Sequence, residues 1–173
     1  MPSPDIRRGT TDDLRPAYEV FRQSLWDLMQ RTGLIPAGSP LDTEESWPRH
    51  RSLTEHIFTH AAEFWVAEDT DGVAGMARSI ERDGVLQLTE FFVHPRVQSR
   101  GVGRELLDRA FPLGRGRHRS ILATQDSRAL ALYLRSGVHF QSTLVDFEVI
   151  PAPHEYETDL EFCLLYTSDA ADE

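Results

Sequence analysis

Neither lysine nor asparagine occurs in the 173 residues, and all 18 basic side chains are arginine. Both missing residues have AT-rich codons, so their absence points to a GC-rich bacterial gene rather than to a functional device. Cysteine is nearly absent as well. The single one, Cys163, permits no internal disulfide and implies no thiol chemistry. No apolar run is long enough to cross a bilayer and no basic-then-apolar leader opens the chain, which predicts a cytoplasmic protein with no membrane partner. Positive charge is also short. Against 28 acidic residues the arginines leave a net charge of −10. No basic face able to neutralise many phosphates can form, which excludes a nucleic-acid partner. The densest basic stretch, Arg115, Arg117, His118 and Arg119, reads as a solvated turn or a contact to a ligand's phosphates.

Cys163 belongs to a stretch of its own. Residues 163–173 look like the translated reading frame of a sequencing-library adapter, and such scars stand outside fold reasoning. The chain then divides into one domain over residues 5–162 and a non-native tail over 163–173, with the natural chain interrupted near Phe162. The competing reading is a genuine acidic tail carrying Asp169, Asp172 and Glu173.

What is present is organised around residues 88–107. Leu86, Leu88, Phe91, Phe92 and Val93 suit a strand buried on both faces, and Pro95 stops its ladder. The chain runs on through Arg96, Gln98, Ser99 and Arg100 to Gly101 and Gly103. A helix follows with Leu106, Leu107, Ala110 and Phe111 on one face. Two residues without a Cβ at the opening turn of a helix let a ligand approach the backbone. The first helical amides lack internal partners and carry the positive end of the dipole. That is an anion site suited to a pyrophosphate, with Arg100 and Arg104 able to add charge-assisted contacts. A Walker loop is excluded, because Arg104 and Glu105 follow Gly103 in place of Lys and Ser or Thr. A dinucleotide fingerprint fails too: Leu106 stands where a third glycine belongs, and the turn does not come straight off the strand.

The pattern Val93-His94-Pro95 followed by Gln98-x-x-Gly101-x-Gly103 resembles motif A of the GNAT superfamily of N-acetyltransferases. A second signature of that family appears downstream in the run from Asp126 to Phe140, where Ala129, Leu132, Tyr133 and Gly137 match it. Two positions depart, Asp126 replacing the usual Asn and Val138 the usual aromatic. The likeness covers residues 5 to 150. It implies an α/β (α+β) GNAT fold, a mixed central sheet of six to seven strands with flanking helices, in which splayed parallel strands form the slot for coenzyme A. It implies acetyl-CoA as co-substrate, an amine as the other partner, and no metal. A homodimer is a fair expectation for such a domain.

Along the chain, Ile6 and Arg7 begin a first strand, and Thr10 or Thr11 caps a helix with an apolar stripe from Leu14 to Met29. A Gly-, Pro- and Ser-rich loop leads to a second helix with Pro48 in its first turn. Strands follow at residues 64–67, 73–80 and from Val85 onward, as an antiparallel meander joined by turns at Gly72 and Gly84. After the motif-A helix come a parallel strand running to Thr124, a helix capped by Asp126 or Ser127, a strand over residues 140–149 and another over 155–162. His56 and His60 lie four apart on the second helix. The His-Glu order of a zinc protease and a third ligand are both missing, so they read as a surface pair.

The resemblance also implies roles. The pantetheine arm would lie along the strand of Phe91 and Val93, and the diphosphate on Gln98, Ser99, Arg100, Gly101, Val102, Gly103 and Arg104, with Asp126 and Ala129 beside it. Tyr133 occupies the position whose phenol protonates the departing thiolate; its other reading is a packed tyrosine. Direct aminolysis also requires the amine to lose a proton. Glu90 is the first candidate base, although strand alternation sets it on the face opposite Phe91 and Val93. His94 is the second, having a suitable solution pKa. Trp26, Arg31, Trp47 and Arg49 are candidate substrate contacts, since the segment between the first two helices lies over the acceptor site in that family; the other reading of both tryptophans is core. The other class of function is a non-catalytic acyl-CoA-binding domain, or the N-terminal half of a tandem pair.

Overall fold

The computed structural model describes residues 4–41 and 43–144. A first unit of the chain ends at Phe140. Its strands are β1 (Asp5–Arg8), β2 (Ala61–Asp69), β3 (Gly72–Arg82), β4 (Val85–Val93) and β5 (His118–Ile121), in sheet order β1-β2-β3-β4-β5. β1 to β4 pair antiparallel, and β4 pairs with β5 in parallel. The helices are α1 (Leu14–Arg31), α2 (Trp47–Thr59), α3 (Val102–Ala110) and α4 (Ser127–Arg135). The described residues thus carry five of the six or seven expected strands. Residues 140–144 are irregular, and the rest of the expected strands at 140–149 and 155–162 lies outside the described residues.

Local chemistry explains the order. The β3–β4 hairpin turns on Asp83 and Gly84, both at positive φ (53° and 79°), a backbone whose twist matches that of the flanking strands. Before α1, a single 3₁₀ turn (Thr11–Asp13) is closed by Asp13, whose carboxylate accepts from the Thr10 amide (2.8 Å) and hydroxyl (3.0 Å). The same carboxylate takes a two-pronged contact from Arg7 on β1, 2.8 Å on each prong. Asp13 is thereby buried with its charge matched.

The sheet has two dressed faces. One packs Ala67, Ala77, Leu86 and Leu88 against Leu106, Leu107, Ala110 and Phe111 of α3 and its end. The other packs Phe64, Val66 and Met76 against Leu14 and Ala17 of α1, with Phe21, Trp47 and Phe92 alongside. One extra residue on β4 changes which side chains go where. Arg78 pairs with Glu90 and the next residue, Ser79, with Leu88, so Thr89 is bulged out, its hydroxyl donating to the Arg78 carbonyl at 3.0 Å. Leu86 and Leu88 therefore share the α3 face with Phe91 and Val93, while Glu90 and Phe92 turn to the α1 face.

The bulge also ends the parallel pairing. Leu88 opposite Ile121 is the last β4–β5 pair, whereas β4 continues to Val93. The expected strand through Thr124 stops at Ile121, because a bulged strand bends and twists away from its neighbour. The two chains splay from that point.

Candidate active site

The splay opens a cavity of about 930 Å³. β4 forms one wall from Leu88 to Val93, and the unpaired residues 121–124 with Ala129, Leu132 and Tyr133 of α4 form the other. α1 contributes Phe21, Ser24, Leu25, Leu28 and Arg31. One end is lined by Gln98, Ser99, Gly101, Gly103 and Arg104.

That end is built by backbone conformation. Ser99 and Gly101 sit at positive φ, 66° and 85°, and Gly101 is the N-cap of α3. Glu105 is the first residue there to donate within the turn, to the Gly101 carbonyl at 3.2 Å. Among the described residues the amides of 99–104 meet no protein acceptor. Arg104 makes no ion pair among them either, so cationic and N–H donor capacity converges on the slot unspent. Gly103 faces β4 closely, since a Cβ there would lie 3.2 Å from Phe91 Cζ and 3.5 Å from Val93 Cγ2. A diphosphate fits such a cradle, which offers N–H donors and no carboxylate.

Not every expected loop residue points into the slot. Gln98 is turned to the protein, its Nε2 donating to the Val93 carbonyl (2.8 Å) and its Oε1 accepting from Arg128 (2.7 Å). Its side chain holds the loop in shape and is not free for a ligand. Val102, the first residue of α3, is buried, and the Arg100 side chain is not part of the lining. Asp126 caps α4 by accepting from the Arg128 amide at 2.9 Å, and Arg31 reaches the same carboxylate at 3.2 Å. Burial works against its ionisation, yet Arg128 and Arg31 together keep the Asp126 carboxyl below the usual range. Ala129 lies on the wall as expected.

Tyr133 is 9% exposed, faces the slot, and sets its ring edge-on to Phe91 with centroids 5.8 Å apart. Burial pushes its phenol well above the ordinary value, with Asp126 adding in the same direction. It is a neutral O–H donor throughout the physiological range.

Glu90 lines the cavity from the α1 face. Its cross-strand partner Arg78 is wholly buried, with Nε 3.1 Å from Glu90 Oε2 but out of line for a hydrogen bond. Arg78 Nη1 donates to the Thr54 carbonyl of α2 at 3.1 Å, and its guanidinium lies 4.4 Å from the Phe64 ring centre. Burial raises the Glu90 carboxyl, and the Arg78 charge pulls it back. His94, the second candidate base, does not line the cavity. Its Nδ1 accepts from the Arg96 amide at 3.1 Å, capping a 3₁₀ turn (Pro95–Val97). Burial first, then Arg96, lowers its pKa.

Of the expected substrate contacts, only Arg31 reaches the slot. Trp26 donates from its indole to the Ser39 carbonyl at 2.9 Å, and Trp47 packs on Tyr18 with ring centres 5.1 Å apart. Both tryptophans, like Arg49, lie outside the lining. The basic loop serves the fold: Arg115 pairs with Glu63 and Glu81, and Arg119 donates to the Phe111 and Ser136 carbonyls. The His56 and His60 ring centres lie 4.3 Å apart with the rings tilted, and among the described residues no group of three metal-ligating side chains occurs. Three contacts around the slot escaped the sequence reading. Ser24 ties α1 to β4 through the Val93 carbonyl (3.1 Å), Arg128 bridges loop and α4, and Arg78 backs Glu90. Only Arg78 had a signal, a lone charge in an apolar strand.

Comparisons with known proteins agree with this geometry. A solved structure of the PaiA N-acetyltransferase from Thermoplasma acidophilum in complex with coenzyme A is similar at 19% identity and a TM-score of 0.60, covering 83% of this chain and 93% of that one. The enzyme AAC(6')-Iy, bound to the bisubstrate analogue CoA-S-monomethyl-acetylneamine, gives 17% identity and a TM-score of 0.56, covering 85% and 98%. A protein from Pyrococcus horikoshii gives 17% and 0.63, covering 82% and 92%. At these identities the likeness is one of fold. A search of curated protein sequences finds no match. The family model described as acetyltransferase (GNAT) family matches residues 22–138, more than half of the chain and every lining residue of the slot but Phe21. With motif, splay and family model in agreement, this chain belongs to the acetyltransferase (GNAT) family.

Proposed function

We propose that the protein is an N-acetyltransferase that moves an acetyl group from acetyl-CoA to a primary amine of a small molecule or peptide by direct attack. The observation that carries the reading is the run of unpaired amides over residues 99–104, opening onto a slot that also holds Tyr133. These amides, with Arg104, would bind the diphosphate, and the pantetheine arm would follow β4 past Phe91 and Val93. The bound co-substrate supplies an activated acetyl thioester.

This chain's own groups would do the rest. Glu90, on the α1 face of β4, would take the proton from the amine, directly or through a water. Tyr133, kept protonated by burial, would give its proton to the departing thiolate. No covalent enzyme intermediate is needed, which suits a slot that no cysteine lines among the described residues. His94 is the weaker base on position, being outside the cavity lining. Arg31 is the side chain best placed to meet an acceptor at the α1 end.

The test is acetyl-CoA turnover against a panel of primary amines, run beside the melting-temperature shift that CoA produces. Turnover on at least one amine supports the enzyme reading. Stabilisation by CoA without turnover on any amine supports the acyl-CoA-binding reading instead.

A further inference from the structure

We propose that Arg78 is the positioning residue for Glu90: from the neighbouring strand it fixes the carboxylate at the wall of the slot and supplies its counter-charge. The inference rests on the reading of Glu90 as base. Its grounds are geometric. The two residues are register partners at the place where β4 is bulged; the bulge turns Glu90 to the α1 face, where β3's own alternation already sets Arg78 beside Met76.

Arg78 has few other contacts for a fully buried guanidinium. It donates once, to the Thr54 carbonyl, and rests on Phe64, while Nε and Nη2 have no hydrogen-bond acceptor. Glu90 Oε2, 3.1 Å from Nε, also has none. A pair retained for stability would close those bonds, because a half-satisfied buried ion pair is poorer than an apolar filling. An open pair leaves the carboxylate held by charge yet free to accept a proton from something in the slot. Among the described residues the charge that acts on Glu90 is that of Arg78; α2 offers Thr54 and β2 offers Phe64, both uncharged, and α1 brings Phe21, Ser24, Leu25 and Leu28 to the slot, also uncharged, with Arg31 at its last turn.

The sign follows. Removing the cation makes the carboxylate easier to protonate, so the acidic limb of kcat/KM moves to higher pH. For Arg78→Met the limb is expected to rise by about one pH unit or more, kcat at neutral pH to fall, and the CoA-induced melting shift to persist. Arg78→Lys, which keeps the charge, should recover most of the limb. If Arg78 acts only through Glu90, the double variant R78M/E90Q is no slower than E90Q alone. An unmoved limb in R78M, a double variant markedly slower than E90Q, or wild-type turnover by E90Q each overturns the proposal.

A readout free of turnover separates it from the enzyme reading. In protein labelled with carbon-13 at the Glu side-chain carboxyls, the resonance missing from E90Q belongs to Glu90. Its titration midpoint should be higher in R78M than in wild type, and an equal midpoint refutes the coupling. Failure of every amine to react would sink the acetyltransferase reading, while the two midpoints would still decide whether Arg78 governs Glu90.

Discussion

Gly103 and Phe91 face each other so closely that a Cβ on the glycine would come within 3.2 Å of the ring's Cζ. The helix start and the central strand touch there with no room between them, at the end of the slot where the amides are unpaired. Gly103→Glu is expected to abolish binding of CoA, since a carboxylate would stand in the diphosphate's seat. The check is a thermal melt with and without CoA, each variant referred to its own ligand-free midpoint. A CoA-dependent shift of wild-type size would refute the assignment of the loop.

Gly101 makes the complementary case. It sits at a φ of 85° with nothing within 4 Å of a Cβ built on it. Gly101→Ala therefore meets only conformational strain, about 1 kcal/mol of stability by urea unfolding. A loss several times larger would mean that the cap is tighter than its geometry.

Tyr133→Phe keeps the ring against Phe91 and removes the hydroxyl. Turnover should fall at least about tenfold while CoA affinity stays nearly unchanged. Because the phenol is pushed above its ordinary value, a basic limb near neutrality in the wild-type pH profile would have to belong to another group. A rate unaltered in the phenylalanine variant removes Tyr133 from the mechanism.

The Arg7–Asp13 fork gives a stability prediction away from the slot. Arg7 holds the Asp13 carboxyl below its ordinary value, burial opposing and Thr10 assisting. A depressed carboxylate contributes stability that is complete above its unfolded value of about 3.9 and is lost as pH falls below it. Asp13→Ala should cost about 2 kcal/mol in urea unfolding at neutral pH, from the charged contacts and the lost cap. The difference from wild type should narrow in acid. A constant difference across that range would show that the fork is not the cause.

Arg78 and Glu90 predict an asymmetry in stability. Glu90→Gln alone leaves a buried guanidinium without its counter-ion and should cost about 3 kcal/mol. Replacing both partners by apolar residues, Arg78→Met with Glu90→Leu, should restore the wild-type value or exceed it. Equal losses in single and double variants would argue that the guanidinium's contacts to Thr54 and Phe64 outweigh its charge pairing.

The strand, loop and helix around Gly101 and Gly103 were legible in the sequence because their chemistry is local: a proline that ends a ladder, two residues lacking a Cβ, and an apolar face spaced for a helix. Tyr133 was legible through its motif, and its place on the slot wall agrees. What the sequence could not give came from register. One unpaired residue, Thr89, reverses which side chains of β4 face which helix, and strand alternation counted without it sets Glu90 beside Leu88. The early end of β5 at Ile121 has the same origin. Trp26 and Trp47 stayed open in the sequence because an aromatic in a variable segment can fill either a site or a seam; the indole N–H of Trp26 is satisfied by the Ser39 carbonyl, and Trp47 packs at a tilt on Tyr18. His94 had a suitable intrinsic pKa, but its ring was already committed to capping a turn.

The parting of β4 and β5 after Leu88 and Ile121 carries one more consequence. Past that point β4 is a ladder with a missing rail, and a donor that carries amides of its own can supply it. Acetyl thioesters of short amide-bearing thiols should thus outperform those of simple alkyl thiols in kcat/KM, and equal performance would mean that the open edge recognises nothing.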